Sequence, residues 1–183
     1  MNKRLSSKRR LIFTGLVTLL VLAHLLWDYN HGGVPTHYLM HRDDLPGISN
    51  WWGIITLPLV TFLLLLWINK NLEQRAKLDS TELAKALVYP FFIALIFGVL
   101  LSVFFILDTP IPGYMMLGAI AFSFFHPLYR PEYLLGFILG MSYTFGANLP
   151  ILFSLVFLLL FLFNYKVIRY GFLYLIGSIN RTK

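Results

Sequence analysis

The feature that most constrains this chain is a succession of uncharged apolar runs, each near the length needed to cross a bilayer. A crossing helix needs roughly 20 apolar residues, with about 17 as a lower limit. Runs at 11–27, 53–68, 83–107, 113–127, 133–147 and 149–165 reach or approach that length. They predict an all-α, polytopic transmembrane helical bundle of about six spans, forming a single transmembrane domain. The runs at 113–127 and 133–147 are short, and as a pair they also fit a re-entrant hairpin. Composition agrees with a lipid setting. Of the residues, 58% are hydrophobic and 13% charged, where a soluble domain carries about a quarter charged residues.

The basic residues set the expected orientation. With the N-terminus inside, the inner segments hold Lys3, Arg4, Lys8, Arg9, Arg10, Lys70, Arg75, Lys77, Lys85, Arg130, Lys166, Arg169, Arg181 and Lys183, which is 14 of the 15 Lys and Arg. Only Arg42 falls outside. Basic residues are retained on the cytoplasmic side of short loops, so this asymmetry predicts both termini in the cytoplasm and an even number of spans. The expected location is a membrane, as a multi-pass protein of a bacterial inner membrane. Trp27, Trp51 and Trp52 fall at the outer interface and Trp67 at the inner one, where amphipathic rings settle. A signal peptide ending at Val21-Leu22-Ala23 is the alternative for the first run. The apolar stretch continues through Leu26 and Trp27, longer than such a core requires. The net charge of +7 is explained by these anchors, and no nucleic-acid partner is implied.

Local signals divide the remainder. Asp79 and Glu82, three apart, resemble a capping box opening the third helix. Pro58 and Pro90 lie inside spans, and Pro110 and Pro112 mark a tight turn after the third. Gly136 and Gly140 form a G-x-x-x-G pair that allows close helix approach, which predicts a central fifth helix. The tail at 166–183 alternates basic and apolar residues. It is expected to extend the sixth helix or to lie in the inner headgroup layer as an amphipathic segment.

Chemistry is expected in the outer loop at 28–52 and its borders. Four of the five His lie there: His24, His31, His37 and His41, together with Asp28, Asp43 and Asp44. His24 and Asp28 are four apart at the end of the first span, hence on one helical face. His37 and His41 are also four apart, and Pro35 is placed to open a short interfacial helix presenting both. Asp108, at the end of the third span, reaches the same membrane face. Imidazole with carboxylate suits zinc and other first-row divalent ions. The expected metal ligands are therefore His24, Asp28, His37, His41 and Asp108, with Asp43 or Asp44 as general base. The competing readings are a metal-free proton-handling cluster and a solvated loop without chemistry. The H-x-x-x-H spacing lacks the Glu of zincin motifs. Asp44-Leu45-Pro46-Gly47 reads as a turn, and Ser49 and Asn50 fit the cap of the second helix.

Two partial resemblances are rejected by what is missing. His31-Gly32-Gly33 resembles the oxyanion loop of lipases, but the chain has no G-x-S-x-G elbow. Ser123 and His126, three apart, resemble part of the pattern of membrane ceramidase-like hydrolases. No His follows His126, so that family's zinc site cannot be assembled. His126 is expected to be a helix-end residue facing headgroups. Cys is absent, which excludes thiol nucleophiles, disulfides and Cys-bound metals. No acidic or basic side chain occurs over 53–68, over 86–107 or in the fourth run before His126, against an ion-coupled transporter with a midplane site. Nucleotide-binding motifs are also absent.

These readings favour a metal-dependent hydrolase or transferase acting on a lipid-linked substrate at the outer leaflet. The alternatives are an accessory or binding subunit of a membrane complex, and a small-solute permease using Ser142, Tyr143, Thr144 and Asn148. Orientation is directly measurable, since the chain has no competing thiol. In His37→Cys, an impermeant maleimide added to intact cells should label the protein. Labelling seen only after lysis would invert the assigned topology.

Overall fold

In the computed structural model, the described residues are 5–38, 44, 47–74 and 80–174. They are almost wholly helical. The first helix, α1, is Ser7–Asn30. A small antiparallel hairpin follows, β1 (Thr36–Tyr38) pairing with β2 (Gly47–Ser49). A single 3-10 turn, Asn50–Trp52, leads into α2, Gly53–Gln74. Then come α3 (Ser80–Ile106), α4 (Ile111–Phe122), α5 (Pro131–Phe145) and α6 (Asn148–Phe163). A π segment, Asn164–Ile168, carries the last helix onward to residue 174. The basic tail therefore extends the sixth helix as far as it is described.

The expectation of six spans is met in part. Four helical stretches are long and apolar enough to cross a membrane: Ser7–Asn30, Asn50–Leu72, Thr81–Ile106 and Asn148–Tyr174. The helices α4 and α5, of 12 and 15 residues, are about 18 and 22 Å long at 1.5 Å per residue, less than the hydrocarbon thickness of about 30 Å. Pro58 and Pro90 lie inside α2 and α3 as the sequence implied. The Asp79 half of the expected capping box lies outside the described residues.

The end-to-end arrangement follows from a few polar ties. The Leu5 amide donates to Asn69 Oδ1 at 2.8 Å, which sets the start of α1 beside the end of α2. Arg130, just before α5, donates to the Ala86 carbonyl near the start of α3 at 2.9 Å. The same guanidinium lies 3.3 Å from Glu132, which is 1% exposed. A carboxylate in the first turn of α5 is favoured by the helix dipole, and its burial beside Arg130 requires that partner. Asn164 donates to the Ile120 carbonyl and to Ser123 Oγ, at 2.9 and 2.7 Å, tying the end of α6 to the end of α4. Lys8, Arg9, Arg10, Lys70, Lys85, Arg130, Lys166 and Arg169 are thereby gathered at one end of the bundle. Asp28, Asp44 and Asp108 belong to the other.

The α3–α5 pair is the centre of the bundle. Gly136 and Gly140 face α3 so closely that a Cβ on either would run into the Phe91 or Leu95 carbonyl. A Cβ on Gly98 of α3 would stand 2.9 Å from the Phe137 carbonyl of α5. Lipid tails are as apolar as leucine, so helix association in a membrane draws on close van der Waals fit and not on water exclusion. Small residues on both partners provide that fit. Leu134, Leu135, Ile138 and Met141 of α5 are buried around it. The expected central position of the fifth helix is therefore observed. Gly140→Val should destabilise the bundle by at least the ~1–3 kcal/mol typical of overpacking. Gly118→Ala, where an added Cβ meets nothing within 4 Å, should be neutral. Denaturation in detergent, followed by helical signal, checks both; equal effects would remove the close-packing argument.

Candidate functional site

Two glycines end α1. His31 and Gly33 donate backbone N–H groups to the Asp28 carbonyl at 3.0 and 2.9 Å. Gly32 and Gly33 adopt φ of 121° and 100°, conformations open to glycine. The chain leaves the helix here and enters β1. His37 lies on that strand opposite Ile48, which corrects the expected interfacial helix after Pro35. Thr36 and Tyr38 are β-branched and aromatic, types that suit a pleated surface. Gly47, the partner of Tyr38, has no room for a Cβ, which would lie 2.7 Å from Thr36 Cγ2. The His37 side chain, His41 and Asp43 lie outside the described residues, so the proposed His37–His41 couple is neither assembled nor dispersed. Asp44 is an exposed turn residue.

The first expected couple is in place. His24 Nε2 stands 3.7 Å from Asp28 Oδ2, and both side chains are partly buried. Asp28 Oδ2 itself is buried and has no hydrogen-bond partner among the described residues. The His24 ring lies over Tyr143 of α5, with centroids 4.8 Å apart and planes tilted by 31°. His24 and Tyr143 stand with Asn50 and Ser142 at the polar end of a groove of about 700 Å³. Its walls are apolar and come from α1, α2, α3 and α5, running inward past Leu20, Leu57, Leu95 and Leu139 to Phe13 and Phe91. Small-molecule sites share this construction, with apolar walls and a few convergent polar groups in about 300–1,000 Å³.

Asn50 is the residue that sequence reasoning misassigned. The expected cap role belongs to Ser49, whose Oγ accepts from the Trp51 amide at 3.4 Å. Asn50 is 5% exposed, lines the groove and packs directly on Gly146. Gly146 has φ of 66°, and a side chain there would collide with Asn50. Tyr143 was placed on a permease strip, but that strip divides in the structure. Asn148 Oδ1 accepts from Thr56 at 3.0 Å, while Thr144 lines a separate pocket beside Asp108. The signal available beforehand was the Tyr143-Thr144-Phe145-Gly146-Ala147 sequence. A glycine after an aromatic at a helix end permits close approach of another chain segment.

The remaining histidines have local partners. His31 stacks on Trp27 at 3.9 Å and 14°. Its Nδ1 donates to the Trp27 carbonyl at 2.9 Å, since a carbonyl only accepts. His126 packs on Phe122 at 4.9 Å and lines a different cavity. Asp108 has φ of 51°. Its amide donates to the Phe105 carbonyl at 3.0 Å and the Thr109 amide to the Phe104 carbonyl at 3.2 Å. This pair of bonds is a Schellman motif with Asp108 at the left-handed position. Asp108 lines a pocket with Thr109, Pro110 and Thr144 that shares no residue with the His24 groove.

Among the described residues, no three His, Asp or Glu side chains converge as a metal would require. The chain matches no protein-family model, no curated protein and no solved structure, so the functional reading rests on the site's own geometry.

Asp108 gives a sharp test of structural against ligand roles. Asp108→Gly should keep or slightly raise thermal stability. Asp108→Val should lower it by about 1–2 kcal/mol, the cost of a left-handed residue with a crowded Cβ. A loss of bound metal in Asp108→Gly with stability intact would instead make Asp108 a ligand.

Proposed function

We propose that this is a multi-pass membrane hydrolase or transferase that acts on a lipid-linked substrate at the outer leaflet. The observation that carries the reading is the buried Asp28 oxygen, without a hydrogen-bond partner among the described residues, facing His24 at the polar end of an apolar groove. The groove takes the chain of an amphiphile, and the polar end meets its headgroup linkage. His24 is the base. Asp28 orients the ring through Nε2 and stabilises the imidazolium formed when Nδ1 takes a proton from water or an acceptor hydroxyl, the logic of a His–Asp pair. A separation of 3.7 Å shortens to a hydrogen bond when substrate is bound, as apo catalytic contacts commonly do. Asn50 and Tyr143 supply hydrogen-bond donors for the oxygen that gains charge. His24 takes the base role from Asp43 and Asp44, because its carboxylate partner is already beside it.

Both termini and the basic end are assigned to the cytoplasm of a bacterial inner membrane. The short helices α4 and α5 are assigned as crossings. In support, the α5 start meets Ala86 through Arg130, while Phe145 at its end meets Phe105 at 4.8 Å. Those two α3 positions are about 28 Å apart at roughly 1.5 Å per residue.

As an alternative to the base role of His24, a divalent ion such as zinc fits the donor chemistry of His24 and Asp28, and His37 and His41 would have to complete its shell. Bound there, it would supply a water of lowered pKa. Asp108 lines a separate pocket and is left out of that set.

The test uses purified protein in nanodiscs built from an inner-membrane lipid extract with radiolabelled headgroups. Wild type should release water-soluble label. His24→Gln should slow release by about 10²–10⁴-fold, the range of general-base catalysis, and Asp28→Asn should also reduce it. Release at the wild-type rate in His24→Gln removes His24 from the chemistry. Metal content, measured on protein prepared without chelator, decides the ion separately: one equivalent per chain, lost in H37A/H41A, is required.

A further inference from the structure

A second cavity lies on the opposite side of the α3–α5 pair from the His24 groove and is used by nothing above. It occupies about 480 Å³ among α3, α4, α5 and α6. Phe97, Phe137, Phe157 and Phe161 dominate its walls, and Met115 and Met116 of α4 close it. Such walls suit a flexible hydrocarbon chain, since Met adapts to irregular apolar shapes. The cavity is apolar for most of its length and becomes polar at one end, where His126 and Tyr133 line it beside Leu128.

That end carries a cationic, aromatic cluster. Tyr129 follows Leu128 directly, and its ring lies 5.7 Å from Tyr165. Lys166 Nζ stands 5.6 Å from the centre of the Tyr129 ring, and the Arg169 guanidinium 4.8 Å from that of Tyr165. Neither cation has a carboxylate partner among the described residues; the nearby Glu132 is held by Arg130. The π segment that carries Lys166 is pinned to α4 through Asn164. Local π geometry of this kind frequently accompanies functional sites. An apolar slot opening beside unpaired cations is complementary to one kind of molecule, a lipid with an anionic headgroup. Basic pockets between membrane helices on the cytoplasmic side hold such headgroups.

We infer that the α3–α4–α5–α6 cavity binds one acyl chain of an anionic phospholipid, with its phosphate held by Lys166, Arg169 and His126. The site is at the opposite end of the bundle from His24 and does not depend on the reaction proposed there.

The test is native mass spectrometry of the full chain, exchanged in detergent against dioleoyl phosphatidylglycerol or dioleoyl phosphatidylcholine. One phosphatidylglycerol per chain should persist where phosphatidylcholine is lost. K166Q/R169Q should weaken phosphatidylglycerol roughly thirty-fold, from two cations each contributing as juxtamembrane basic residues do. Gly118 lines the cavity and has open space around a Cβ. Gly118→Phe should therefore fill the slot and abolish retention, and Gly118→Leu, the smaller change, should reduce it. Helical signal and a monodisperse elution profile show that each variant is folded. Equal retention of both lipids, or retention unchanged in folded Gly118→Leu, overturns the proposal in favour of ordinary boundary lipid. A stoichiometric second protein displacing the lipid overturns it in favour of a partner helix. Inorganic phosphate at millimolar concentration should not compete; if it does, the site reads free phosphate and the acyl-chain slot is incidental.

Discussion

The close approach of α3 and α5 sets the rest of the structure. Gly98, Gly136 and Gly140 leave backbone facing backbone, and in lipid such contact is what holds helices together. The pair forms a wall only two helices thick. Phe91, Leu95 and Leu139 look out of it into the His24 groove, whereas Ala94, Phe97 and Phe137 look into the second cavity. Neighbouring residues of the same two helices thus serve both spaces. A looser wall would merge them and withdraw Tyr143 from His24.

Charge then distinguishes the two ends. The polar ties of Leu5 to Asn69, Arg130 to Ala86 and Asn164 to Ile120 all lie at the basic end. They fix helix ends against one another where backbone groups would otherwise be unpaired. The opposite end is held differently, by the hairpin of β1 and β2, the Asn50–Gly146 contact and the Thr56–Asn148 bond. Positive-φ backbone among the described residues falls at that end, at Gly32, Gly33, Asp108 and Gly146. A site for chemistry is more easily built there than along uniformly apolar spans.

Much of this was legible from residue order. The apolar runs predicted the helices, because in lipid only internally satisfied backbone survives. The His24–Asp28 couple was legible because a spacing of four places residues on one helical face. The G-x-x-x-G of α5 announced its packing. Three things were not legible. The hairpin at 36–38 competes with a helix after Pro35, and a run of three strand residues has too little periodicity to decide between them. Asn50 looks like a cap beside Ser49; only the fold shows that Ser49 caps and Asn50 meets Gly146. Asp108 was singled out for its carboxylate, and only backbone torsions add that it terminates α3. In each case the deciding contact joins residues distant in sequence or depends on a torsion that composition does not carry.

The His24–Asp28 couple stands out because His24 lies at the polar end of a groove. Here one carboxylate oxygen is shielded, short of a hydrogen-bond partner among the described residues, and aimed at an imidazole 3.7 Å away. Leaving such an acceptor unsatisfied costs about 1–3 kcal/mol or more. That cost is recovered when a proton or cation arrives between or beside the two groups. On the proposed reading, the groove would bring the polar linkage of an amphiphile to that point, where Tyr143 and Asn50 also line it.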